Sequence, residues 1–213
     1  MTTTPIDPSR PVVVVDIDGV VFDFNDALAH AAVVITGRPL HSFPPAEEWD
    51  FMPAWGISLE EYFGLLEEAV RNHDLFARGR PLPGSIAGWR ALRAMGSRPF
   101  IHVATDCGHG DTIELAREQR VRWLEAWGFD YDALTFTADK GAVAREHLER
   151  GHRVFAVDDR PKNFDQLVES GAVTLLAEQR WNRHVDTDRR VRDLAAFADL
   201  VDSTTSYLVL SHG

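Results

Sequence analysis

Four consecutive valines, Val12 to Val15, run straight into Asp16, Ile17, Asp18 and Gly19. A β-branched run without polar alternation reads as a strand buried on both faces, the pattern of a central strand in a parallel sheet. Parallel neighbours need crossover connections, usually helices, so this one segment already predicts an α/β chain. Open α/β sheets bind ligands beyond the carboxyl ends of their strands, and this strand ends in two carboxylates.

Further strands are predicted at Pro99 to Ala104, Leu134 to Thr137, Arg153 to Val157 and Ala172 to Leu176, each separated from the next by a helical pattern. About five strands alternating with helices imply a doubly wound, Rossmann-like, mostly parallel sheet. Ile86, Trp89, Leu92 and Met95 share one helix face that stops at Gly96. Asp111 with Glu114 reads as an acidic capping box for a helix carrying Ile113, Ala116, Trp123, Leu124 and Trp127 up to Gly128. Other helices are expected from near Gly141, from Pro161 to Gly171, and over roughly Arg189 to Leu200.

About 80 residues separate the first strand from the second, far more than one crossover helix requires. This stretch holds a helix over Asn25 to Thr36 ending at Gly37, an irregular aromatic segment from His41 to Gly56, and a helix opened by a Ser58 and Glu61 capping box. Residues 24–80 are therefore expected to form a small helical cap, inserted into a core made of residues 1–23 and 81–213.

The chemistry of the strand ends is specific in combination. An aspartate attacks phosphorus when it is ionised and a metal shields its charge from the incoming phosphate, which suits Asp16. A second carboxyl nearby, Asp18, favours one member of the pair holding a proton, so an acid and a nucleophile coexist at neutral pH. Gly19 lets the chain turn where a side chain would crowd a phosphate. DxDG alone also describes a surface turn. It is not a calcium EF-hand, which needs a third acidic or amide ligand before the glycine and a glutamate at fixed spacing beyond.

Later strands supply the company. Thr105 follows an apolar run and offers a hydroxyl to phosphoryl oxygens. Lys140, just past the third strand, is the fixed cation that a transferring phosphoryl group and a buried nucleophile require. Asp158 and Asp159, ahead of Arg160, offer the oxygen ligands that hard Mg²⁺ prefers. Each of these residues alone reads as a turn, cap or surface group. Four polar sites at four strand ends, converging on one edge, do not.

A formal net charge of -11 disfavours a long nucleic acid, whose affinity rests on phosphate contacts, and leaves room for a small anion drawn in by a metal. Nothing approaches the roughly 20 apolar residues of a membrane span. The single cysteine, Cys107, allows no internal disulfide and is expected to pack rather than react. With no signal-peptide pattern at MTTTPIDPSRP, the protein is expected in the cytoplasm, with no membrane partner. Of the nine histidines, none forms a metal-ligand pair near these motifs, and His102 inside a strand reads as packed. Zinc is not indicated. Nine of the 21 aromatic residues lie between Phe22 and Phe76, where most serve a small core and one or two lining a cleft could stack on a flat substrate.

The segments VVVVDIDGVVFD, FIHVATD, TADKGAV and VFAVDDRPKNF resemble the four motifs of the haloacid dehalogenase superfamily. An aspartate two residues past the nucleophile marks phosphatases there rather than dehalogenases. Over most of its length the chain further resembles the 5'(3')-deoxyribonucleotidases, through DxDGVxxDF, a helical cap with Trp and Gly-Ile-Ser, Pro-Leu-Pro-Gly, Asp-Lys-Gly-Ala-Val, Asp-Asp-Arg-Pro and a late Trp-Asn-Arg at 181–183. The resemblance implies Asp16 as nucleophile, Asp18 as acid and base, and Thr105 and Lys140 as stabilisers of the transferred group. Mg²⁺ would be held by Asp16, the backbone carbonyl of Asp18 and the Asp158, Asp159 pair. Phe24 and Trp49 would stack on a base near Arg160, and Arg120 stands where the group carries a phosphate-assisting lysine.

One departure concerns Asp106, Cys107 and Gly108, which follow Thr105 where the group usually has Ser and Pro. A carboxylate beside a phosphate site is unfavourable unless it faces a sugar hydroxyl or a cation. Asp106 is thus a candidate substrate contact that leaves the sugar and the 5' or 3' position open. The expected partner is a small nucleotide or another phosphate monoester, and a homodimer stays open. A phosphatase for nucleic-acid ends or a non-nucleotide metabolite, and a catalytically silent nucleotide-binding protein, are the competing readings.

Overall fold

The computed structural model describes residues 10–106 and 111–211, so Cys107 and Gly108 lie outside the described residues. Its strands are β1 (Val12–Val15), β2 (Phe100–Thr105), β3 (Ala133–Phe136), β4 (Val154–Asp158), β5 (Val173–Ala177) and β6 (Arg190–Val191). Among the described residues they form one sheet in the order β3-β2-β1-β4-β5-β6, parallel at every pairing. The chain winds outward from β1 on one side and then returns to its other side, so the topological switch point falls at β1.

All four valines of β1 are buried, and each contributes on the order of 1.5 kcal/mol by leaving water. Val13 and Val15 face a layer that includes α5 (Ser85–Ala94), α6 (Ile113–Trp127) and α9 (Leu194–Ser211). Val12 and Val14 face α7 (Lys140–Glu149) and α8 (Pro161–Ser170) through Val143, Ala144 and Leu167. This is the two-sided burial that a strand without polar alternation requires.

Between β1 and α5 come α1 (Phe24–Thr36), α2 (Met52–Trp55), α3 (Leu59–His73) and α4 (Leu75–Arg78). The chain leaves and re-enters through paired stems: Asp23 N–H donates to the Arg80 carbonyl at 3.0 Å and Leu82 N–H to Val21 at 2.8 Å. Asp23 caps α1, Gly37 ends it in the left-handed region, and the Ser58 and Glu61 box opens α3 with bonds of 3.2 and 2.7 Å. Trp55 is buried against Phe43 and Phe51 and donates its indole N–H to the Pro44 carbonyl at 2.9 Å, and these rings belong to the same apolar cluster as Val13 and Val15.

Three local expectations need correction. β6 lies beyond the strands read from sequence; two residues without an apolar run gain strand geometry by pairing with β5. The last helix starts at Leu194, not Arg189, because Asp193 Oδ1 accepts the Ala196 N–H at 2.9 Å, and it runs on to Ser211. The Asp111 and Glu114 box is absent: α6 opens behind Thr112, which makes no side-chain cap bond, and Glu114 pairs with Arg117 at 2.8 Å instead.

Candidate active site

The sheet delivers polar side chains to one edge. Asp16 follows β1 and remains pinned to the sheet, its N–H bonded to the Val157 carbonyl at 3.2 Å. Thr105 closes β2 and Asp158 closes β4. Lys140 opens α7, whose start is fixed by Asp139 accepting the Ala142 N–H at 2.8 Å.

Lys140 Nζ lies 2.7 Å from Asp16 Oδ2 and 2.6 Å from Asp158 Oδ2, with all three groups buried. Asp158 also accepts the Arg160 N–H at 2.9 Å and the Asn163 amide at 3.2 Å, which commits both of its oxygens. Asp159 differs, since among the described residues the donor to its carboxylate is the Trp181 indole, 2.9 Å from Oδ2. Asp18 pairs with Arg120 at 2.6 Å, and the guanidinium lies over the Phe76 ring, 3.4 Å from its centroid. Asp18 Oδ1 and the Nε and Nη1 atoms of Arg120 are buried without a hydrogen-bond partner among the described residues.

Burial dominates the electrostatics here. It pushes the Asp16 carboxyl up to about 6 against the pull of Lys140, and it raises Asp18 against the pull of Arg120. Burial, then Asp158 and Asp16, push Asp159 well above the carboxylate range. Lys140 is pulled down by burial, but Asp158 and Asp16 more than offset this and hold it above the usual lysine range.

Gly19 has φ +74°, and a Cβ there would collide with the Asp159 carboxylate. The glycine is needed for that close approach of an acid, a different reason from room for a phosphate.

These groups open into a cleft of about 350 Å³. Among the residues singled out in the sequence, Asp16, Asp18, Thr105, Lys140, Asp159, Phe24, Trp49, Asp106, Arg120 and Arg160 line it; Asp158 sits behind them, fully buried. Trp49 is half exposed and the Arg160 guanidinium lies 4.7 Å from its ring centroid, so the two come together at the cleft. Tyr62, Phe63, Asn163 and Trp181 also line it and were not singled out for the site. Tyr62 shares α3 with the buried Leu65 and Ala69, so the helical stripe could have located it. Burial and then Asp18 push its hydroxyl up to about 12, keeping it a neutral donor. Asn163 stands five residues past Asp158 at the start of a helix, but sequence alone does not aim it backwards.

Solved structures share this fold. They include a haloacid dehalogenase-like hydrolase from Streptococcus pneumoniae (TM-score 0.58, 16% identity, covering 92% of this chain and 100% of that one). A haloacid dehalogenase superfamily hydrolase from Geobacter sulfurreducens gives a TM-score of 0.57 at 15% identity, covering 91% and 97% of the two chains. The fold is that of the haloacid dehalogenase-like class. Within it, the model of the family described as "5' nucleotidase, deoxy (Pyrimidine), cytosolic type C protein" matches residues 10–206, and the chain belongs to that family. It is a hydrolase of phosphoric monoesters. A relative from Chlorobaculum tepidum, described as "Putative 5'(3')-deoxyribonucleotidase", is 27% identical over 96% of this chain and 95% of its own. Among the described residues no helix is long and apolar enough to cross a membrane.

Proposed function

We propose that the protein dephosphorylates deoxynucleoside monophosphates through an aspartyl-phosphate on Asp16, with Mg²⁺ as cofactor and residues 24–80 acting as a cap over the cleft. The observation that carries this reading is a buried Asp16–Lys140–Asp158 triad and an Asp18–Arg120 pair opening into the same cleft as Phe24, Trp49 and Tyr62.

The donor set fits a divalent cation. Ligand atoms of Asp16, Asp158 and Asp159 lie within 4.8 Å of one another, all three are buried, and Lys140 is the cation paired with them among the described residues. Three carboxylates against one ammonium leave charge that a hard, oxygen-preferring ion would neutralise. Asp16 and Asp159 have coordination capacity left, whereas Asp158 has spent its oxygens on Lys140, Arg160 and Asn163, so Asp158 serves as a brace and Asp159 as the ligand. When bound, the ion would supply charge neutralisation at the nucleophile and polarise the phosphoryl oxygens.

The chain's own residues account for the remaining steps. Lys140 keeps Asp16 aimed and ionised, and Asp16 attacks phosphorus as the bond to the nucleoside oxygen breaks. Burial favours the proton on Asp18, which gives it to the leaving oxygen. Water then attacks the phosphorus of the aspartyl-phosphate, Asp18 takes back a proton, and the Asp16 oxygen leaves. Thr105, Lys140 and the unpartnered Arg120 nitrogens face the charge that develops. The exposed Trp49 face, Phe24 and Arg160 offer a stacking site for a base, worth about 1–3 kcal/mol per stacked ring. The cytosolic description of the family supports a cytoplasmic location.

The test is phosphate release from 5'- and 3'-deoxy- and ribonucleotides, sugar phosphates and phosphorylated DNA ends, with and without Mg²⁺. Turnover of deoxynucleoside monophosphates should lead and depend on the ion. A preference for sugar phosphates rejects the nucleotide substrate and leaves the family intact.

A further inference from the structure

We infer that Trp181 is a positioning residue that orients Asp159 for the divalent cation. This rests on the cation in the proposed function, and it concerns a cleft residue whose indole N–H bonds to Asp159.

Asp159 is held from three sides. The Trp181 indole donates to Oδ2 at 2.9 Å, Asn182 Nδ2 donates to the Asp159 backbone carbonyl at 2.7 Å, and the bare Cα of Gly19 abuts the carboxylate. The turn that carries Trp181 and Asn182 is itself fixed: Arg190 donates to Asn182 Oδ1 at 3.0 Å and to its carbonyl at 2.6 Å, and Gln179 reaches back to the Gly19 carbonyl at 2.7 Å. The indole is therefore not a chance neighbour. It belongs to a rigid unit joining the end of β5 to the turn after the nucleophile.

The chemistry of the donor decides what this contact is for. Lys140 both orients Asp158 and cancels its charge. An indole N–H orients the carboxylate but adds no positive charge beside it, so the countercharge for Asp159 is left to a cation. A neutral partner behind a ligand is the arrangement that tunes metal affinity, and its loss typically costs about 10- to 100-fold.

The experiment compares the full-length wild-type chain with Trp181→Phe, which keeps a ring and deletes the N–H, by calorimetric titration with Mn²⁺. The Kd is expected to rise at least about tenfold. The metal-free thermal midpoint should move by less than about 4 °C, as for a loss under about 1 kcal/mol. A Kd within twofold of wild type, by the same calorimetric titration, overturns the inference. Should Trp181→Phe fail to fold, the indole N–H resonance of Trp181 in the wild type is followed during a Mg²⁺ titration. It should shift along the binding curve, and a stationary resonance overturns the inference. A wild-type chain that binds neither ion brings down the cation in the proposed function as well; equal binding by wild type and variant removes Trp181 alone.

Discussion

Strand β2 and helix α7 each take part in two buried polar clusters, and the clusters behave in opposite ways. At the cleft edge, β2 ends in Thr105 and α7 begins with Lys140. Within the same elements lie His102 and His147, with His102 Nδ1 and His147 Nε2 2.8 Å apart and His102 Nε2 2.8 Å from the Thr135 hydroxyl. His152 is buried nearby, its ring 6.0 Å from that of His147. Burial, followed by His147, pulls His102 down to about 4, and burial also lowers His147. His102 and His147 thus stay neutral in the interior. At the other end three buried carboxylates crowd around one ammonium. A buried cluster whose members can all be neutral belongs to the core, and one that gathers acids around a single fixed cation is built for something still to arrive.

The sharpest way to break this contrast is at Asp16. In the proposed reading, Asp16→Asn keeps the shape and removes the nucleophile, so turnover should fall by roughly 10⁶-fold, as single-turnover phosphate release would read. Asp18→Asn should cost roughly 10² to 10⁴, the weight of general acid catalysis. Near-normal rates in either variant would mean that the charged cluster is not the reacting one.

Lys140→Met probes charge imbalance through stability. It leaves Asp16 and Asp158 facing each other in the interior, and the metal-free protein should lose about 3–5 kcal/mol in urea unfolding. Unchanged stability would place these carboxylates in the same category as the histidines.

The smallest effect concerns His102. The unfolded chain takes up this proton near pH 6.5, the folded protein only near pH 4. Between those values the unfolded state binds more protons, so the contribution is complete above pH 6.5 and is lost as the pH falls towards 4. The gap is worth about 3 kcal/mol. Asp16, Asp18 and Asp159, raised by burial, act with the opposite sign, so the informative quantity is the difference between wild type and His102→Leu. That difference should shrink on acidification, while turnover at neutral pH changes less than about threefold, the scale of a substitution remote from the reacting atoms.

Residues that meet at the cleft edge were readable because chemistry restricts their type and the fold restricts their place: Asp16, Thr105, Lys140 and Asp158 each end or follow an apolar run or open the next helix. The contacts between distant parts of the chain that hold the cluster were not. The Arg120 contact to Asp18 spans 102 positions, and the Trp181 contact to Asp159 depends on a turn whose aim is set by Arg190 and Gln179. Nothing in local pattern encodes such contacts. β6 escaped for a related reason, because its two residues take their geometry from β5. The failed box at Asp111 shows the limit of local rules, since Glu114 had a better partner in Arg117 one turn on.

The central position of β1 also sets an order of assembly. Val12 pairs with Phe100 on one side and with Val154 on the other, so the strand made first has its second edge filled only when β4, far along the chain, is made. Contacts of such long sequence separation are slow to form. A ribosome-bound chain exposes Asp16 early, but Lys140, Asp158 and Asp159 stand together beside it only after β4 has emerged and docked. In the proposed reading the growing polypeptide therefore has no hydrolytic competence before that strand joins the sheet.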